Sequence, residues 1–258
     1  MPKWLLTFWQ NRGLHQLKDS PNLAVLERLF MVDKRIEDIA EKMSQEGKDI
    51  YLAMIPPYKT GYADYVFQTD KPDIQARRIK NLDKNFRRLL TEPYFWIQPM
   101  SQDSADQIAA WTYPAPYDFY DMVADEEDLA QLLSESTREN TYFEVIRNGA
   151  LFGFASFQFQ NKVLEIGLGM KPDQTGKGLG VNFYQAIEDY ARKNFDCRVL
   201  QLSVASFNQR ALALYQQVGY EIAESYQQAT NGGEYPFFRL EKCVENVDGI
   251  NMEKKLDE

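Results

Sequence analysis

Three runs between residues 142 and 170 restrict the fold more than any other part of the chain. Tyr142 to Arg147, Ala150 to Gln160 and Val163 to Met170 are separated only by Asn148-Gly149 and Asn161-Lys162. An Asn-Gly pair between strands is a strong two-residue turn signal, because both positions must accept positive φ. The stretch therefore reads as a hairpin extended by a third strand. A glycine-rich segment follows it, Gln174-Thr175-Gly176-Lys177-Gly178-Leu179-Gly180, and leads into a helix from about Gly178 to Asn194. That helix has Leu179, Phe183, Ile187, Tyr190 and Ala191 on one face. A strand from Val199 to Val204, a helix from Asn208 to Val218, and strands from Tyr220 to Tyr226 and Tyr235 to Lys242 complete the pattern.

Upstream, Tyr94 to Gln98 reads as a strand, Ser101 to Trp111 as a short helix, and Glu126 to Glu135 as another. Residues 113–120 form an aromatic, proline-containing loop. Before Pro93 the pattern is helical. Asn22 caps a helix expected to run to about Glu46, with Leu23, Leu26, Leu29, Phe30, Ile36 and Ile39 as its apolar stripe. A loop rich in Tyr, Pro and Gly is expected from Ile55 to Asp70. A second helix begins near Pro72 and Asp73, with Ile79, Leu82, Phe86, Leu89 and Leu90 on one side and Arg77, Arg78, Lys80, Lys84, Arg87 and Arg88 on the other. Thr91-Glu92-Pro93 ends it, since proline disfavours helix in the residue before it. The expected organisation is a small helical domain over 1–92 and an α/β domain over 93–258, the latter ending in a polar tail from Glu245.

Composition narrows the classes of function. With 44% hydrophobic and 14% aromatic residues the chain is too apolar for disorder, and no run reaches the length of a membrane span. The start, Lys3 to Trp9, is too short in apolar residues for a signal peptide and lacks a cleavage site. A cytoplasmic location is expected. Cys197 and Cys243 lack C-x-x-C spacing and read as reduced thiols, and the single histidine is His15, so neither a zinc site nor a serine–histidine–acid triad is expected. Residues 1–92 hold 16 Lys and Arg against 13 Asp and Glu, whereas residues 93–258 hold 13 against 25. An acidic second half attracts cationic small molecules and argues against nucleic acid. The basic side of the helix from Asp73 to Leu90 reads as a solvated or docked amphipathic face. A homodimer is left open.

Successive glycines before a helix let backbone N–H groups approach a phosphate, and the helix start adds favourable partial charge. The spacing here, G-x-G-x-G, fits neither the P-loop nor the dinucleotide fingerprint. In context the run from Val163 to Tyr220 resembles the GNAT superfamily of acetyl-CoA-dependent N-acyltransferases. The resemblance rests on Leu164-Glu165-Ile166-Gly167-Leu168-Gly169-Met170, Lys171-Pro172 and the glycine loop. It extends to Asn208-Gln209-Arg210-Ala211, Leu214-Tyr215 and Gly219-Tyr220. Phe95 to Met100, Ala110-Trp111 and Tyr235 to Leu240 fit its start and end, so it covers about 165 residues. Residues 1–92 lie outside it.

The resemblance implies a mixed, mostly antiparallel sheet flanked by helices, and acetyl-CoA entering where two central strands diverge. It implies acetyl transfer to a primary amine, small or peptide-borne, by direct attack in a ternary complex and without a metal. The backbone of Leu168 and Met170 would pair with the pantetheine arm, and Thr175, Gly176, Lys177, Gly178, Leu179 and Gly180 would hold the pyrophosphate. The family signature begins with Gln or Arg where this chain has Thr175, preceded by Gln174, so the Thr175 hydroxyl is the expected side-chain donor. Asn208 would bond the pantetheine or cap its helix. Glu165 is the implied base, partly buried and so raised toward neutrality, with a solvated or ion-paired strand carboxylate as the alternative. Tyr215 is the implied proton donor to the leaving thiolate, with packing as the alternative. Trp111, Tyr113, Tyr117, Asp118 and Tyr120 would build the acceptor pocket, or else a lid. A sensor that binds acyl-CoA without turnover is the rival reading.

Overall fold

In the computed structural model, which describes residues 33–244, the chain divides between Thr91 and Glu92 into two units. The readings for His15, for Asn22 with the stripe from Leu23 to Phe30, and for the tail from Glu245 lie outside the described residues.

The first unit contains helices α1 (Lys34–Ala40), α2 (Gln45–Ala53), α3 (Pro56–Phe67) and α4 (Pro72–Arg88). The expected helix through to Glu46 is interrupted: α1 stops at Ala40, and α2 restarts at Ser44, whose oxygen accepts the Gly47 N–H at 3.2 Å. The break is held by α4, where Asp83 Oδ1 accepts the Ser44 N–H at 2.9 Å and its hydroxyl at 2.6 Å. A Cβ on Gly47 would stand 2.1 Å from that oxygen, so glycine is required for the close approach. The expected loop from Ile55 to Asp70 is mostly helix α3. Pro56 and Pro57 occupy its first turn, where no N–H is needed. Ile39, Tyr51, Val66, Ile79, Leu82 and Phe86 form the buried core, with the Tyr51 ring stacked on Phe86 at 5.8 Å.

The second unit is a seven-stranded sheet. Its strands are β1 (Phe95–Pro99), β2 (Tyr142–Arg147), β3 (Ala150–Gln160), β4 (Val163–Met170), β5 (Val199–Ala205), β6 (Glu221–Thr230) and β7 (Gly233–Cys243), in the order β1-β2-β3-β4-β5-β7-β6. Only β4 and β5 pair in parallel. Helices α5 (Gln102–Ala109), α6 (Glu126–Leu133) and α7 (Glu135–Arg138) lie between β1 and β2, α8 (Gly180–Asn194) between β4 and β5, and α9 (Gln209–Gln217) between β5 and β6. Asn148, Gly149, Asn161 and Lys162 all have positive φ, as the two short turns require.

Alternation along the strands separates the faces. Leu164, Ile166, Leu200, Leu202, Val204 and Leu240 are buried in one core with Phe183, Tyr184 and Ile187 of α8. Gly153 of β3 allows this: a Cβ there would lie 2.6 Å from the Phe183 ring. The opposite residues of β3, β4 and β5, among them Ser156, Gly167, Glu165 and Ser203, point to the other face. One turn escaped the sequence reading. Asn231-Gly232, both at positive φ, joins β6 to β7 and lengthens both strands beyond the expected ends.

Candidate functional site

The strands β4 and β5 start side by side and then part. Their pairing covers only Val163–Glu165 against Val199–Gln201, although β4 runs on to Met170 and β5 to Ala205. The backbone edges beyond Glu165 and Gln201 therefore face an opening in the middle of the sheet. Strand alternation tells which groups line it. The Lys171 N–H bonds Phe152 C=O on β3 at 2.8 Å, which turns Met170 and Leu168 toward the opening. The Ser206 N–H bonds Pro236 C=O at 2.9 Å, which turns Ala205 and Ser203 toward it from the other side.

The glycine loop lies at the C-terminal end of β4. A short 3₁₀ turn, Pro172–Gln174, leads into it, and Gly176 and Gly178 have φ of +74° and +72°. Nothing lies within 4 Å of where a Cβ would sit on either, so the loop backbone is open to a ligand. Leu179 stands at the N-cap of α8 with no side-chain cap, and no acidic residue occupies the first turn. The orphan N–H groups and the positive end of the helix dipole are thus left for an anion. Lys177 is exposed beside them. The Thr175 hydroxyl, expected to reach a phosphate, instead donates to Pro172 C=O at 2.9 Å and braces the loop.

Asn208 and Tyr215 sit at the β5 side. Asn208 caps α9, its Oδ1 accepting the Ala211 N–H at 3.1 Å, and it is 8% exposed. Tyr215 is also 8% exposed, with its ring edge-on to Tyr184 and Tyr220 at 6.3 and 6.0 Å. Its hydroxyl takes no part in the bond that Tyr184 donates to Tyr220 at 2.9 Å. Burial, with a smaller contribution from Tyr120, pushes the Tyr215 phenol well above its ordinary value. Tyr215 therefore keeps its proton throughout the neutral range. Glu165 is the last β4 residue still paired with β5, but it is exposed, contrary to the partly buried setting expected for it.

The residues from Trp111 to Tyr120 fall into different settings. Trp111 is buried, its ring 6.4 Å from Phe154. Tyr113 donates its hydroxyl to Met170 C=O at 2.8 Å, and Ala205 N–H donates to the Tyr120 hydroxyl at 3.3 Å. Tyr117 lies 4.1 Å beneath the Arg210 guanidinium. Asp118 is exposed, while the Asp121 carboxylate accepts the Tyr113 N–H at 2.8 Å and is occupied in shaping the loop. Phe119 packs against Phe207, Tyr235 and Phe237. Of these, Phe207 was not singled out from the sequence, although it immediately precedes Asn208. Cys197 is buried, Cys243 exposed, and both are free. Among the described residues no group of His, Cys, Asp and Glu has the arrangement of a metal site, and no helix is long and apolar enough to cross a membrane.

Residues 102–220 match the model of the acetyltransferase (GNAT) family. No curated protein matches the chain. Among solved structures, a spermidine N-acetyltransferase chimera from Vibrio cholerae and hSSAT is similar at 16% identity and a TM-score of 0.48, covering 58% of this chain and 95% of that one. An acetyltransferase of the GNAT family from Bacillus anthracis gives 15% identity and 0.47, covering 58% and 94%. A ribosomal-protein-alanine N-acetyltransferase from Brucella melitensis gives 18% and 0.45, covering 58% and 99%.

Proposed function

We propose that the second unit, whose residues 102–220 match the acetyltransferase (GNAT) family model, moves an acetyl group from acetyl-CoA to a primary amine by direct attack within a ternary complex. The observation that carries this reading is the parting of β4 from β5, with an open glycine loop and an uncapped helix start at the end of β4. An opening edged by backbone N–H and C=O groups suits an extended amide-bearing arm, and the loop beyond it suits a pyrophosphate. The residues present therefore fit coenzyme A.

Bound acetyl-CoA supplies the thioester carbon that is attacked and the thiolate that leaves. This chain's residues do the rest. Leu168 and Met170 offer their backbone to the pantetheine arm, and the amides of Gly176, Lys177, Gly178, Leu179 and Gly180 face the pyrophosphate. Thr175 keeps the loop in shape rather than touching the phosphate, and Asn208 caps α9, the helix that carries Tyr215. Tyr215, held protonated by burial, donates toward the departing sulfur. An ammonium has no lone pair, so the acceptor must lose a proton before it attacks. Glu165, at the point where the strands part, accepts that proton directly or through water. Its exposure supports a relay to solvent. The excess of acidic over basic residues in 93–258 favours a cationic acceptor.

A coupled thiol-release assay of the full chain over a panel of small amines and peptide N-termini tests the proposal. Turnover with at least one amine is expected. Acetyl-CoA binding without turnover on any of them would replace the enzyme with an acyl-CoA sensor.

A further inference from the structure

The two tyrosine hydroxyls of the aromatic loop reach opposite sides of one opening. Tyr113 donates to Met170 C=O, on the free edge of β4. Tyr120 accepts Ala205 N–H, on the free edge of β5. Alternation along each strand puts both of these backbone groups on the sides that face each other across the gap. Below them the strands are held by their own ladder only as far as Glu165 and Gln201. Above that point these two phenols, seven residues apart on one loop, bond both edges.

The loop between them is built to be stiff. The Tyr113 N–H bonds the Asp121 carboxylate at 2.8 Å. Asp121 N–H bonds Asp118 C=O at 3.1 Å and closes the short 3₁₀ turn Tyr117–Tyr120. From the far side the β6–β7 turn fastens it again: Asn231 Nδ2 donates to Phe119 C=O at 2.8 Å, and the Thr230 hydroxyl donates to Asp125 Oδ2 at 3.0 Å. Phe119 is wedged among Phe207, Tyr235 and Phe237. A bridge of this kind transmits force from one strand edge to the other, because neither anchor can move without the loop.

We propose that Tyr113 and Tyr120 are positioning residues that strap β4 to β5 across the opening and fix its width for the arm of coenzyme A. Their role is thus toward the cofactor, not the recognition of the amine. The inference rests on the acetyl-transfer reading for the identity of the ligand, but the strap itself is a property of the free chain. Burial pushes the Tyr113 phenol above its ordinary value, so it keeps the proton it donates to Met170 C=O through neutral pH.

The test uses the full chain with Tyr113→Phe, Tyr120→Phe and the double variant, each keeping its ring. Hydrogen exchange without ligand should speed up at the amides of 166–170 and 202–205 in either single variant. Tyr226→Phe serves as the control. It removes a hydroxyl bonded to Ser203 Oγ at 3.0 Å but spans no gap, and it should leave exchange at 166–170 unchanged. Calorimetry with acetyl-CoA should show dissociation constants raised about tenfold in each single variant. The double should remain near tenfold, because cutting either end releases the same strap; independent contacts would multiply to about a hundredfold. Unchanged exchange in the single variants, or multiplying losses in the double, overturns the strap. If exchange responds as expected but the unaltered chain binds no acetyl-CoA, the strap stands and the acetyl-transfer reading falls.

Discussion

Replacing Tyr215 by Phe removes one hydroxyl and keeps a ring that is 8% exposed and edge-on to Tyr184 and Tyr220. Packing is conserved, so the loss of stability should stay within about 1 kcal/mol. A positioned general acid contributes about 10² or more to the rate, which at about 1.36 kcal/mol per decade is roughly 2.7 kcal/mol of barrier. The maximal rate should therefore fall about a hundredfold, while acetyl-CoA affinity barely moves, since the interaction develops in the transition state. Tyr184→Phe supplies the contrast within the same aromatic cluster. Its hydroxyl donates to Tyr220 at 2.9 Å in the core, and its loss leaves a buried partner unsatisfied. That variant should lose about 1–3 kcal/mol of stability, or several degrees of melting temperature, with near-normal turnover. Stopped-flow or steady-state thiol release and thermal unfolding on both variants give the four numbers needed. Full turnover in Tyr215→Phe would show that the hydroxyl does no chemistry and that Tyr215 is a packing residue.

Three further outcomes follow from the geometry. Gly178→Ala places a Cβ in open space but at φ +72°, so it should cost about 1–2 kcal/mol of stability and also weaken acetyl-CoA binding; calorimetry and melting on the one variant read both. Glu165→Gln, at an exposed site, should leave the melting temperature unchanged and flatten the acid limb of the rate–pH profile; a limb that keeps its position assigns the base to water or another group. Buried phenols set the alkaline limit. Tyr113, Tyr184, Tyr215 and Tyr220 all have folded values raised above the unfolded value of about 10. The unfolded chain releases protons first, so stability is intact below about pH 10 and falls as pH rises above it. Urea titrations at pH 8, 9.5 and 11 check the sign, and a midpoint that holds at pH 11 refutes it.

The hairpins from Tyr142 to Met170 were legible to the residue, because turn chemistry is local and Asn148-Gly149 admits few other conformations. The β6–β7 turn carries the same pair, Asn231-Gly232, yet it is flanked by Gln227, Gln228, Ala229 and Thr230, which give no apolar alternation to mark strands. Helix α3 was hidden by Pro56, Pro57 and Gly61, which read as a loop until the prolines are seen to occupy a first turn. The break before α2 depends on Asp83, thirty-nine residues away from Ser44, and no local signal announces it. At the proposed site, the glycine loop was visible as a motif. The use of the Thr175 hydroxyl within its own loop, the exposure of Glu165 and the bonds from Tyr113 and Tyr120 to strand edges were not, since each depends on which backbone group lies opposite in the fold.

The most direct test of the account is a hydrogen-exchange footprint of acetyl-CoA on the full chain. Because Leu168 and Met170 turn their backbone toward the opening and the α8 start is uncapped, slowed exchange is expected at Leu168, Met170 and Gly176 to Gly180, with β1 at the edge of the sheet unaffected. Saturating acetyl-CoA that leaves those amides unprotected, or protects another region instead, would contradict the placement of the cofactor between β4 and β5.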